Sequence, residues 1–244
     1  MRKLSMALLA GVALVGCGGP EAAEQAPMSW EEFKASAIND EGDVYVVNGD
    51  VGATQDGLAV YYLGYDVKYS STQARNLTYC ISSSTFGSRY STMVSAMNSA
   101  TGAWEATANV NFIHSSTYDS NCTASQTGVF FDVRMVSGQS YLARAFFPNS
   151  SRSGRNILVD SSSFGSIAPW TLTGVLRHEL GHVLGFRHEH TRLSSTGCYE
   201  DGNWRGLTSY DAYSVMHYPQ CNGSQTGDLV LTSMDATGAR ALYP

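Results

Sequence analysis

The chain has 244 residues, enough for one sizeable domain with a hydrophobic core and too few for two large ones. Hydrophobic residues make up 43% of it and charged residues only 15%, which excludes disorder throughout. A net charge of −6, with three lysines in all, argues against nucleic acid as a partner, because a phosphate-binding surface needs an excess of basic side chains.

The acidity is not spread evenly. Residues 1–16 carry Arg2 and Lys3, residues 17–60 carry nine acids against Lys34, and residues 61–244 carry twelve charges of each sign. Arg2 and Lys3 precede an apolar run, 4–16, shorter than the roughly 20 residues that span a bilayer, so it reads as a signal peptide. The run ends in Leu14-Val15-Gly16-Cys17, which resembles a bacterial lipoprotein signal. That resemblance implies acylation of Cys17 and a chain held at the cell envelope, or secreted, with a lipid anchor as its membrane contact. The predicted organisation is a signal peptide (1–16), a tether (17–27), an acidic pro-segment or pre-domain (28–60) and a main domain (61–244).

With Cys17 assigned to lipid, Cys80, Cys122, Cys198 and Cys221 form an even set. Export to an oxidising compartment favours disulfides over thiols, and the four cysteines allow three pairings. Cys80–Cys122 with Cys198–Cys221 is the preferred one. A cysteine-based zinc site is disfavoured by the absence of any Cys-x-x-Cys pair.

Ser29 and Glu32 have capping-box spacing, which predicts a short helix through Ala37. A strand over 44–47 then runs into the turn signal Asn48-Gly49-Asp50, and 58–63 is a further apolar run. The first strand of the main domain is predicted over 75–81. Apolar positions Met93, Ala96, Met97, Ala100, Ala103 and Trp104 recur at helical spacing and predict a long amphipathic helix over 90–107. Strands are predicted at 110–113, 129–136 and 156–160 from their β-branched and aromatic content. A second helix is predicted over 171–184, with Gly185 placed to end it in a left-handed turn.

That helix contains His178-Glu179-Leu180-Gly181-His182. Two histidines at i and i+4 project from one helix face and can share a tetrahedral zinc ion, with Glu179 beside the open coordination position. Gly185 lets the chain reverse, so His188 can return as a third nitrogen ligand. Five of the six histidines lie between 178 and 217, and His114, the outlier, is read as structural.

The run from His178 to Arg192 resembles the long zinc signature of the metzincin metalloproteases, closest to the astacin type. Ser214-Val215-Met216-His217-Tyr218-Pro219 resembles the astacin Met-turn, and the overall layout is similar to bacterial protease B-like metallopeptidases. The resemblance implies an α+β fold: a twisted, mostly parallel sheet, a backing helix, an active-site helix and a smaller lower subdomain after Gly185. It also implies zinc held by His178, His182 and His188, with Glu179 as general base. Tyr218 would stabilise the oxyanion and Met216 would form a structural floor. The implied activity is that of a zinc endopeptidase taking a peptide or protein substrate, as a monomer. Residues 143–148 followed by 155–160 would place the last strand at the cleft rim, where an extended peptide could add itself as a further strand. Gly49-Asp50 resembles the Gly-Asp of the astacin pro-segment, which implies a latency switch at Asp50. The rival reading is a zinc-containing lipoprotein that captures peptide or glycan at the cell surface without cleaving it. The retained Glu179 and Tyr218 count against that reading, because a binder has no need of a general base.

Overall fold

The computed structural model describes residues 58–192, 198, 200–221 and 223–244. The signal peptide, Cys17, the expected helix and strand of the acidic segment and Asp50 lie outside the described residues.

Residues 77–81 and 156–160 form largely apolar, mostly buried strands, as the interior strands of a mainly parallel sheet require. β1 (Ala59–Tyr61) stands apart from the main sheet. β2 (Leu77–Ile81), β3 (Phe112–His114), β4 (Phe131–Val136), β5 (Ala143–Arg144) and β6 (Asn156–Asp160) pair in the order β3-β2-β4-β6-β5. The first four run parallel and β5 is antiparallel to β6. This is the mostly parallel sheet that the resemblance implied, within an α+β fold. One expectation is corrected: β6 is interior, bonded on both sides, and the free edge belongs to Ala143 and Arg144. The apolar character of 156–160 is that of a central strand, whose five residues are all buried.

Short helices α1 (Ser71–Ala74) and α2 (Ser83–Phe86) flank β2. α3 (Tyr90–Glu105) then buries Met93, Ala96, Met97, Ala100 and Trp104 on one stripe. It packs against α4 (Leu172–Val183), and the Trp104 indole N–H donates to the Arg177 carbonyl at 2.8 Å, tying the two helices together. Thr171 caps α4 by accepting from the Gly174 amide.

The end of α4 carries out the reversal expected of Gly185. Its φ of 98° is left-handed, the Gly185 amide bonds the His182 carbonyl at 2.8 Å and the Phe186 amide bonds the Gly181 carbonyl at 2.9 Å. These two bonds form a Schellman motif, which a left-handed glycine makes possible.

The expected boundary at residue 60 falls inside β1, which pairs antiparallel with β7 (Trp204–Gly206). On its other side the Tyr61 amide donates to the Gly185 carbonyl and the Arg187 amide to the Ala59 carbonyl. Leu58 and Val60 belong to the main core. The folded unit therefore includes Leu58, and the apolar run from 58 is part of it.

Disulfides join Cys80 to Cys122 and Cys198 to Cys221, the preferred pairing. The closing helix α5 (Ser233–Leu242) was not anticipated, although Thr232 and Asp235 form a capping box at its start. Among the described residues no helix is long and apolar enough to cross a membrane.

Candidate metal centre

α4 places His178, Glu179 and His182 on its buried face, and the turn at Gly185 returns His188 to them. All three imidazoles are buried. His178 Nε2 lies 3.0 Å from His188 Nε2 and 3.1 Å from His182 Nε2. Ligands at about 2.0–2.1 Å from one tetrahedral ion would sit roughly 3.3 Å apart, so the three nitrogens are gathered at close to that spacing.

The other ring nitrogens fix the tautomers. His178 Nδ1 donates to the Val215 carbonyl, His182 Nδ1 to the Phe186 carbonyl and His188 Nδ1 to Glu200 Oε1, each at 2.7 Å. A backbone carbonyl has no proton to give, so His178 and His182 carry theirs on Nδ1 with the Nε2 lone pairs turned inward, and a carboxylate oxygen at His188 Nδ1 favours the same tautomer there. Burial, and the neighbouring His182, hold the His178 pKa well below its ordinary value, which keeps that imidazole neutral. Three inward lone pairs from neutral imidazoles fit a zinc ion.

The loop below supplies the floor. Met216 is fully buried, and a Cβ built on Gly181 would collide with its sulfur, so α4 rests directly on Met216 at a residue with no side chain. Asp235, at the start of α5, accepts from the Ser214 hydroxyl at 2.6 Å and from the Val215 amide at 2.8 Å. It thereby holds the segment whose Val215 carbonyl orients His178. Burial pushes the Asp235 carboxyl up to about 6.

The Tyr218 ring lies over the imidazoles, 4.3 Å from the His188 centroid and stacked on His178 at 5.3 Å. Glu179 is buried on α4, and Tyr141, just ahead of β5, is near enough that the Glu179 charge helps to raise its pKa. Glu189 turns away from the cluster: its carboxylate accepts from the Asp211 amide at 2.7 Å and pairs with Arg192. His114 sits on β3, bonded to Asp119 and stacked on Tyr79, outside the site as expected.

Sequence reasoning missed Glu200 and Asp235. Glu200 lies among residues without periodicity, and nothing local marks it; Asp235 alone had a signal, its capping box.

The matrixin family model matches residues 68–197, more than half of the chain and inclusive of all three histidines. The chain belongs to the matrixin family. This matrixin-family chain is 25% identical over 200 residues to high choriolytic enzyme 1 of Oryzias latipes, across 74% of its own length and 64% of the relative's. High choriolytic enzyme 2 of the same fish matches at 36% identity over 63 residues, 19% of this chain and 22% of the relative. The chain thus spans less than two thirds of the curated relatives it matches. Among solved structures, that of high choriolytic enzyme 1, a hatching enzyme zinc-protease, aligns at 20% identity and a TM-score of 0.45, covering 72% of this chain and 97% of its own. Myroilysin aligns at 16% identity and a TM-score of 0.48, covering 76% and 98%.

Proposed function

We propose that this matrixin-family chain is a zinc-dependent endopeptidase. The observation that carries the reading is the convergence of three Nδ1-anchored imidazoles beside Glu179, which is buried on the helix that carries two of them. When bound by His178, His182 and His188, zinc supplies Lewis acidity toward water and the scissile carbonyl. Glu179 takes the proton of the attacking water and returns it to the leaving amine, so no net proton is gained or lost. Tyr218, stacked above the ligands, donates its phenolic hydrogen bond to the carbonyl oxygen as charge develops there. Met216 acts as support, filling the space under Gly181.

The decisive experiment compares casein degradation by the zinc-loaded chain and by Glu179→Ala. The variant is expected to keep one equivalent of zinc and to lose about 10²–10⁴-fold of the rate, the usual share of a general base. Undiminished cleavage would remove Glu179 from the mechanism. Zinc bound at one equivalent with no cleavage either by the parent or by a chain freed of the acidic segment and beginning at residue 58 would favour a surface-binding lipoprotein instead.

The reading extends to the N-terminal segment. The Leu-Val-Gly-Cys run supports acylation at Cys17 and a place at the cell envelope, and the acidic stretch with Gly49-Asp50 supports a latency segment that occupies the site until removed. Asp50→Ala should then raise the activity of the unprocessed chain; equal activities would dismiss the switch.

A further inference from the structure

A second cluster adjoins the three ligands: His188, His190 and Glu200 bring donor atoms within 4.8 Å of one another. Glu200 Oε1 faces His188 Nδ1 at 2.7 Å and His190 Nε2 at 3.3 Å. The proton positions follow from the rest of the network. The Tyr218 amide donates to His190 Nδ1 at 3.2 Å, so the His190 proton is on Nε2 and points to Glu200. The two rings lie stacked, centroids 4.5 Å apart and 28° from parallel, and present both N–H groups to the one oxygen. The other carboxylate oxygen is buried with no partner among the described residues.

We propose that Glu200 is a positioning residue of the metal centre, holding His188 through one imidazole N–H and the backbone of Tyr218 through His190. This rests on the zinc reading above. Its physical content is twofold. A carboxylate on Nδ1–H locks the ring orientation of His188 and raises the basicity of its Nε2. A chain of bonds from Oε1 through His190 to the Tyr218 amide then fixes the ligand and the oxyanion donor relative to one carboxylate. The Cys198–Cys221 disulfide braces the arrangement, since it joins a residue two before Glu200 to a residue three after Tyr218. A second metal ion in this cluster is the competing assignment. It would need His188 to lose its Nδ1 proton and bridge two cations, whereas the hydrogen-bonded carboxylate requires only a neutral imidazole.

The test uses the full chain, stripped of metal and titrated with zinc against a competing chelator, beside Glu200→Ala and the near-isosteric Glu200→Gln. Glu200→Ala is expected to bind zinc about 10–100-fold more weakly, with Glu200→Gln between it and the parent, all at one equivalent. In nitrogen-labelled protein the His188 Nδ1–H and His190 Nε2–H proton resonances should be present in the parent and lost in Glu200→Ala while the Nδ1–H resonances of His178 and His182 persist, a pattern that general loosening of the site would not produce. Zinc affinities of both variants equal to the parent's would overturn the proposal. So would a second equivalent of zinc in the parent that Glu200→Gln loses, which would make the cluster a metal site. If the parent binds no zinc, the metal-centre reading itself fails, and this inference with it.

Discussion

Asp235 shows how a residue far from the chemistry governs it. Its carboxylate collects the Ser214 hydroxyl and the Val215 and Thr232 amides, and the Val215 carbonyl in turn accepts from His178. Burial is the main cause that raises its pKa from 3.8 to about 6. A carboxyl favoured in its neutral form by the fold contributes stability that is fully present below about pH 3.8 and is lost as pH rises through about 6. Asp235→Asn keeps the shape and removes the titration. Relative to this variant, the metal-free parent should therefore lose stability between pH 4 and pH 6.5 in urea unfolding; parallel curves would contradict the assignment. Histidine ligands and their spacing could be read at this scale from the chain, because i, i+4 on a helix is a local relation. Glu200 and Asp235 act across turns and loops, through contacts that no local pattern encodes.

Elements decide how local features become a site. Period 3.6 in residues 90–107 and 171–184 told which side of each helix is buried, and the Trp104 bond to the Arg177 carbonyl shows what that burial joins. The Schellman turn at the end of α4 converts a helical pair of ligands into a triad. Gly185→Ala is expected to cost more than the about 1–2 kcal/mol of a left-handed non-glycine residue, because an added Cβ would also run into the Val67 carbonyl. Zinc affinity should fall with it, since His188 follows three residues later; chelator competition and urea unfolding read the two effects. A variant with unchanged stability and affinity would show that the turn does not need glycine. The rim of the sheet went the other way. Residues 156–160 are apolar enough to be a strand anywhere, but only pairing partners distinguish an edge from a centre, and β6 has partners on both sides.

Over the whole molecule, β1 links parts of the chain that are far apart in sequence. It lies between β7 and the 185–187 turn, with Leu58, Val60 and Tyr61 buried. Each such side chain is worth about 1.5–3 kcal/mol when fully buried. A chain beginning at residue 62 should therefore be several kcal/mol less stable than one beginning at 58, and should bind zinc less tightly, as measured by urea unfolding and metal titration. Equal stability would mean that β1 is dispensable. Length, composition and the helical and strand periods indicated one domain of strands and helices with a helix carrying two candidate metal ligands, the glycine after it marked where a third would return, and the α+β fold was what the resemblance of the zinc signature implied. Those are relations between residues a few positions apart, which backbone geometry turns directly into shape. The strand order, the place of β1 and the two carboxylates that steady the site were decided only by the tertiary structure, because each depends on which distant segments share the same buried space.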